Sequence, residues 1–453
     1  MTVRGRPPVD PSLRTPRPGV MDILLESRGS CAYAKQLVGP GFRGWQCPRT
    51  QAMSKRYNLI VIGGGIVGLS VAREATRQFP GLQLAVLEKE ECVGTHQSGH
   101  NSGVIHSGVY YKPGSLKART CVAGAAAMVE FCREHGVPHE ICGKVIVATS
   151  EEECPRLHDL LERGRANGVA GLRLLSVSEL RGIEPHATGV QALLVPGTGI
   201  TDYGLVCGKY AQIIGAQGGE VRTSTKVTGF RENSGAMVVE TSRGAFETRF
   251  VINCAGLFSD RISRLAGEKP EVQIVPFRGE YYDLVPERAR LVRALIYPVP
   301  DPRFPFLGVH FTRRVGGGVD AGPNAVFALK REGYRRSDFS LRDTIGALTF
   351  PGFWRMAKKH WRSGADELRR TTNKAAFVEA LRPLVPEIGG EDLVPGESGV
   401  RAQAIHRSGA MVDDFQFAQS KNMLHLYNVP SPAATASIAI GRAVVELAAK
   451  ALH

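Results

Sequence analysis

Three glycines and one carboxylate carry the first chemical signal in the chain. Gly63, Gly65 and Gly68 stand in Gly63-Gly64-Gly65-Ile66-Val67-Gly68, directly after the apolar run Tyr57-Asn58-Leu59-Ile60-Val61-Ile62. That run has the length and composition of a buried strand. The glycine spacing is that of a dinucleotide fingerprint. The first glycine permits a tight turn, the second lets a pyrophosphate approach the backbone, and the third lets the next helix pack on the strand. A helix is predicted through about Gln78, with its positive N-terminal end toward the phosphates. A second strand, Gln83 to Leu87, ends at Glu88, 20 residues past Gly68. A carboxylate there accepts hydrogen bonds from ribose hydroxyls. Any one of these features alone is weak, but their order is specific.

The far half of the chain bears on which nucleotide. Glu220 to Phe230, Met237 to Thr241 and Ala245 to Ile252 read as a hairpin. Phe250-Val251-Ile252-Asn253-Cys254-Ala255-Gly256 then reads as a buried strand and a small-residue turn, and Leu257 to Ala266 as a helix. This resembles the way FAD-binding folds of the glutathione-reductase type return to their nucleotide sheet. The resemblance implies Val227 near the adenine and Ala255 and Gly256 beside the pyrophosphate. A flavoenzyme that also used NAD(P)H would show a second fingerprint, so a nicotinamide acceptor is not expected.

A longer string follows Glu88: His96-Gln97-Ser98-Gly99-His100-Asn101-Ser102-Gly103-Val104-Ile105-His106-Ser107-Gly108-Val109-Tyr110-Tyr111. It resembles the flavin-side segment of D-amino-acid-oxidase-like flavoproteins. There small residues, here Ser102 and Gly103, let the backbone approach the ring. The full string resembles the L-2-hydroxyglutarate dehydrogenase family. So do Pro276 to Tyr282, Phe304 to Thr312, Gly322 to Val326, Gly399 to Ala404 and Asn428 to Thr435. The resemblance runs from about Tyr57 to the C-terminus. Its first part is shared with glycine and sarcosine oxidases, and the later strings favour the hydroxyglutarate branch.

Such a family oxidises a 2-hydroxy acid by hydride transfer to flavin N5. The hydroxyl proton must also leave, and a base that titrates near neutrality suits the task. His310 and His106 are the candidates, and each can equally be a hydrogen-bonded structural histidine. A dicarboxylate needs two cations, and the planar fork of arginine fits a carboxylate. Arg278 and Arg401 lie among apolar and small residues, where a solvated charge is out of place. Tyr110 and Tyr111 are further donors or core tyrosines, and Lys330 and Arg331 weaker candidates on a solvated face. Leu424 to Val429 reads as a strand, and Pro430-Ser431-Pro432-Ala433-Ala434-Thr435 opens the last helix, with Pro432 suited to its first position. By resemblance, Ser431 and Ala433 then face the flavin N1 and C2 carbonyl, and the helix dipole stabilises a reduced, anionic ring. No cysteine follows Cys254, so FAD attached through cysteine in that region is excluded and a dissociable FAD is expected.

The elements that must position these residues imply an α/β fold. The FAD-binding, Rossmann-like domain of glutathione-reductase type is expected at about 53–111, 203–266 and 399–453. An inserted α+β substrate domain is expected at 112–202 and 267–398, with Val272 to Leu284 and Leu307 to Gly322 as strands. Residues 1–52 are Arg- and Pro-rich without periodicity. They read as a disordered extension, either a presequence or an artefact of gene calling upstream of Met53.

The net charge of +14 suits an acidic substrate or an anionic surface. It is spread too thinly to indicate nucleic acid. The nine cysteines show no Cys-x-x-Cys pair, which argues for a reducing compartment and against a metal site. Residues 352–362 read as a short amphipathic helix, with Phe353, Trp354, Ala357 and Trp361 on one face and basic residues around the rest. That is the pattern of a helix lying in a membrane interface, or of an aromatic stripe in a core. The expected partners are a small dicarboxylate, and a membrane quinone or electron-transfer protein. The expected location is the bacterial cytoplasm at the inner-membrane face, or alternatively the mitochondrial matrix at its inner membrane. Rival readings are an amine oxidase of glycine or sarcosine type, a malate or glycerol-3-phosphate:quinone dehydrogenase, and a flavin-stabilised binding protein without turnover.

Overall fold

The computed structural model describes residues 55–233, 235–302 and 307–452. The expectations for residues 1–52 and for Phe304, Pro305 and Phe306 lie outside these. The strand Arg56–Ile62 runs parallel between Leu84–Leu87 and Gly244–Asn253. Its residues from Leu59 to Val61 are wholly buried, as a central parallel strand covered on both faces requires. An eight-stranded sheet grows around it. On one side lies Glu220–Arg222, and on the other the antiparallel ribbon Val227–Asn233, Ala236–Thr241 and Gly244–Asn253. The expected strand from Glu220 to Phe230 is therefore two. Met423–Asn428 joins in parallel beside Val251 to Asn253, and Gln416–Gln419 pairs with it.

The fingerprint helix, Ile66–Gln78, ends where the sequence predicts. It packs against the final helix, Ala433–Leu452. The two helices meet at Gly441, where a Cβ would come within 2.9 Å of the Ser70 carbonyl oxygen. Ser70 Oγ also donates to the carbonyl of Ser437 at 2.8 Å.

A second, nine-stranded sheet forms the other layer. Its long pair is Val272–Leu284 with Leu393–His406. Val319–Gly322, His310–Arg313, Leu295–Pro298, Lys144–Ala148 and Gln191–Val195 follow in order. Only Leu295–Pro298 and Lys144–Ala148 pair in parallel, so the sheet is mixed. The segment read as one stretch from Leu307 to Gly322 is two strands joined by a turn.

Two further expectations need correction. The return to the nucleotide sheet, placed at 399, falls inside Leu393–His406, where Gly399 pairs with Gly279. A Cβ at Gly399 would lie 2.6 Å from the His100 carbonyl oxygen, so this glycine serves the close approach of the string from His96 to Tyr111. The single helix at 352–362 is in fact two, Pro351–Lys359 and Trp361–Thr372. His360, with φ −113° and ψ 22°, breaks between them. Phe353 packs inward with Phe350 and Met356. Trp354 and Trp361 point outward, 58% and 62% exposed. The expected common face is thus split.

Candidate active site

A cavity of about 950 Å³ runs from the fingerprint glycines to the second sheet. At its nucleotide end the glycines are sterically required. Gly63 has φ +110°, and a Cβ there would lie 2.5 Å from the Cys254 carbonyl oxygen. At Gly68 a Cβ would lie 2.1 Å from the Gly63 carbonyl oxygen. Gly65 caps the helix without a side-chain hydrogen bond, and no acid stands in the first turn. The Ile66 N–H is taken by Ser98 Oγ at 2.9 Å, and the helix dipole suits an anionic ligand beside that turn. Glu88 is buried at the end of its strand. Its Oε2 accepts from the Gly64 N–H at 2.7 Å and its Oε1 from the Glu90 N–H at 2.9 Å. An ionised carboxylate has lone pairs left for two more donors, as a ribose offers.

Val227, Ala255, Gly256 and Ser102 line this cavity. Gly103 does not; it opens on an adjoining cleft. A Cβ at Gly103 would lie 2.6 Å from the Thr201 carbonyl oxygen, and the Gly103 carbonyl accepts from the Thr201 N–H. Its small size serves that strand junction instead of a flavin ring. Ser431, just before the final helix, and Ala433, its first residue, lie on the cavity wall. The Pro432 carbonyl accepts from Ala436 N–H, which makes Pro432 the cap rather than the first helical residue. The glycine cradle, the helix N-terminus and the buried acid together fit FAD.

At the other end the wall carries His106, Tyr110, Tyr111, Tyr281, Tyr297, His310 and Arg401. His310 Nδ1 lies 2.7 Å from the Gly308 carbonyl. Nδ1 must donate there, which leaves Nε2 as the unprotonated nitrogen of a neutral ring. His106 is held by its backbone, whose N–H donates to Thr435 Oγ1 at 3.0 Å. Its Nε2 is 3.3 Å from Ser431 Oγ, and its Nδ1 is buried without a partner. Burial pushes both imidazoles down to about 3. The Lys144 charge adds to the shift at both rings, and Arg401 adds to it at His310. Tyr281 is pushed up to about 12 by burial, against the pull of Arg401.

Arg278 is not part of this wall. Its Nε and Nη2 both donate to Glu280 Oε1, at 3.0 and 2.8 Å, and Nη1 donates to the Arg335 carbonyl. Glu280 and Arg278 are two residues apart on one strand, so they share a face. The pair is structural, and the expectation of a substrate clamp at Arg278 is withdrawn. Arg331 is neither clamp nor solvated: it is buried against Asp260, with Nη2 2.8 Å from Oδ2.

Lys144 was not singled out from the sequence. It is fully buried at the start of Lys144–Ala148, and its Nζ has no hydrogen-bond partner among the described residues. The ammonium lies 4.5 Å from the centre of the Tyr110 ring and 4.9 Å from that of Tyr297. Burial lowers it to about 7. A lysine opening the wholly apolar run Val145 to Ala148 was the signal. Elsewhere on the rim, Lys89 Nζ lies 2.6 Å from Glu332 and 2.9 Å from His96, and it also pairs with Glu90. That cluster already has its own cation.

A glycine-cradled nucleotide site opening onto a wall of histidine, tyrosine and arginine defines a flavin-dependent oxidoreductase. Residues 58–447 match the FAD dependent oxidoreductase family. A protein of Indibacter alkaliphilus named L-2-hydroxyglutarate dehydrogenase is 50% identical over 395 residues, 87% of this chain and 99% of that relative. The human mitochondrial enzyme of that name is 44% identical, covering 93% of this chain and 94% of its own. The Escherichia coli K12 protein of that name is 44% identical, covering 86% and 92%. The chain belongs to the L-2-hydroxyglutarate dehydrogenase family. Among solved structures, the L-alpha-glycerophosphate oxidase of Mycoplasma pneumoniae has a TM-score of 0.71 at 21% identity, covering 87% of this chain and 94% of that one. Glycine oxidase of Geobacillus kaustophilus has a TM-score of 0.66 at 18% identity, covering 88% and 95%. At such identities the likeness concerns the fold alone.

Proposed function

We propose that the chain oxidises L-2-hydroxyglutarate to 2-oxoglutarate with non-covalently bound FAD, and passes the electrons to a quinone or another non-nicotinamide acceptor at a membrane surface. The observation that carries the catalytic reading is the neutral His310 imidazole, with its Nδ1 committed to Gly308 and the charge of Arg401 near it. Arg401 takes the carboxylate next to the reacting carbon through paired N–H donors. His310 Nε2 takes the hydroxyl proton as that carbon is oxidised. The chemistry FAD supplies when bound is acceptance of a hydride. Gly63, Gly65, Gly68 and Glu88 hold its nucleotide half, and Ser431 and Ala433 border its ring. Tyr110 and Tyr111 close the cavity against water. An amine donor would not need the base.

The membrane part of the reading rests on the surface between residues 339 and 368. Phe339, Leu341, Ile345, Trp354, Trp361 and Leu368 are each at least 50% exposed. Exposed Arg342, Arg355, Lys358, Lys359 and Arg362 stand among them. Apolar side chains ringed by cations suit an anionic bilayer. No helix among the described residues is long and apolar enough to cross a membrane, so the contact is peripheral. In a bacterial host it lies on the cytoplasmic face.

Anaerobic titration tests the chemistry. L-2-hydroxyglutarate bleaches the visible band of the oxidised flavin, while glycine, sarcosine, malate and glycerol-3-phosphate leave it in place. Bleaching by a secondary amine, with hydroxyglutarate inert, overturns the assignment.

A further inference from the structure

With Arg278 committed to Glu280, the site needs another cation for a substrate with two carboxylates. We propose that Lys144 is that cation and sets the preference for a second carboxylate, acting from beneath the Tyr110 and Tyr297 rings. The proposal rests on the hydroxy-diacid reading above.

Lys144 occupies a central strand, paired on one side with Leu295–Pro298 and on the other with Gln191–Val195. Its side chain is 0% exposed, and no hydrogen bond or ion pair reaches Nζ among the described residues. A buried, unpaired ammonium is costly to hold, and methionine would fill the same space at no such cost. Contacts with two aromatic faces return only part of that. What remains unmatched is an anion. The neighbourhood is built to receive one: the Tyr110 hydroxyl, on the cavity wall, is also buried without a partner. Tyr110 thus has a hydroxyl without a partner among the described residues, on a ring whose face covers the charge. Two other cations at the wall are already paired: Lys117 with Asp413 at 3.0 Å, and Lys89 with Glu332. Arg163 donates to the Tyr110 carbonyl at 3.1 Å, away from the hydroxyl. Lys144, Tyr297 and His310 lie on the same sheet, and Tyr297 spans the space between the other two. A five-carbon diacid with its hydroxyl at His310 thus has its far carboxylate directed to the Tyr110–Lys144 end. Because the charge sits in a low-dielectric surround, it acts over several ångströms without direct contact.

The test compares Lys144→Met with wild type in the FAD-bound enzyme. One arm measures kcat/KM for L-2-hydroxyglutarate and for L-2-hydroxyvalerate, which has the same chain length and one carboxylate. The other titrates glutarate against the oxidised flavin spectrum, which needs no turnover. The expected result is a loss of roughly 100-fold for the diacid and for glutarate, with a much smaller change for the monoacid. The thermal midpoint should hold or rise, because an unpaired buried charge has been removed. Lys144→Gln provides the same comparison should methionine repack the tyrosines. Equal losses for both acids, or none for either, overturn the proposal. A wild-type enzyme inert to both acids sinks the substrate reading instead; the glutarate titration then still decides, and equal affinity in wild type and variant overturns the role of Lys144.

Discussion

The imidazole of His310 lies against the ring of Tyr297, with centroids 3.8 Å apart and planes at 30°. The stack fixes the ring plane, and the Gly308 carbonyl fixes the tautomer. His310→Ala therefore removes an oriented proton acceptor and leaves the nucleotide end intact. Flavin reduction by substrate, followed in a stopped-flow instrument, should slow by about 10²- to 10⁴-fold, with FAD still bound. His106→Ala should cost less, since His106 Nε2 already faces Ser431. The reverse ranking would move the base to His106.

The same two imidazoles give stability a pH dependence. Each titrates at about 3 when folded, against about 6.5 when unfolded. The folded value is the lower, so the unfolded chain binds more protons between the two. Stability therefore rises as pH climbs from about 3 to 6.5, by at most about 1.4 kcal/mol per pH unit for each ring. Urea midpoints across that range, for wild type and for the double variant His106→Gln, His310→Gln, measure it. The double variant should show a flatter profile. Lys144, at about 7 when folded, adds the same sign between there and about 10.4.

The two arginines should separate cleanly. Arg278→Met leaves Glu280 buried, with Arg336 still 2.8 Å from its Oε2. Loss of one partner of a buried pair costs about 3 kcal/mol or more in unfolding free energy. The KM for substrate, measured on the folded fraction, should not move. Arg401→Met should instead weaken substrate binding by about 2 to 5 kcal/mol, read as a rise in KM.

Glu88→Gln keeps the shape of the side chain and removes its charge and part of its acceptor capacity. The Gly64 and Glu90 N–H groups compete with a ribose for what is left. The FAD dissociation constant, from fluorescence of the released flavin, should rise by about tenfold.

Flotation with anionic liposomes tests the surface around Trp354 and Trp361. Wild type should float at low salt and less so at high salt, where the attraction is screened. Trp354→Ser with Trp361→Ser should remain below, with its flavin spectrum unchanged, because both side chains are exposed. A variant that floats as well as wild type overturns the anchor.

The nucleotide half of the fold was legible because backbone geometry writes itself into residue type. Only glycine tolerates the contacts at positions 63 and 68, so their spacing survives as a pattern in the sequence. The arginines show where such reading stops. Arg278 and Arg401 have similar apolar neighbours, and the acid that claims Arg278 lies at the i+2 position. Strand alternation made Glu280 a partner in principle, yet only the fold shows the two joined. Lys144 was missed for a related reason. Its chemistry lies in what does not surround it, and absence of a partner is a property of three dimensions. The helix break at His360 left no proline or glycine to mark it, so one apolar stripe was read where two helices diverge.

The packing of the fingerprint helix on the final helix has a consequence for how the protein is made. Gln78 leaves the ribosome long before Ala433. At about 5 to 20 residues per second the interval is roughly 20 to 70 s. Throughout it the first strand and its glycines exist without the helix that covers them, and without Ser431 at the mouth of the site. Flavin capture therefore belongs to the end of synthesis, and a nascent chain has a long period in which the apolar residues Leu59 to Ile62 lack that cover. A chain shortened by its last twenty residues never leaves that state.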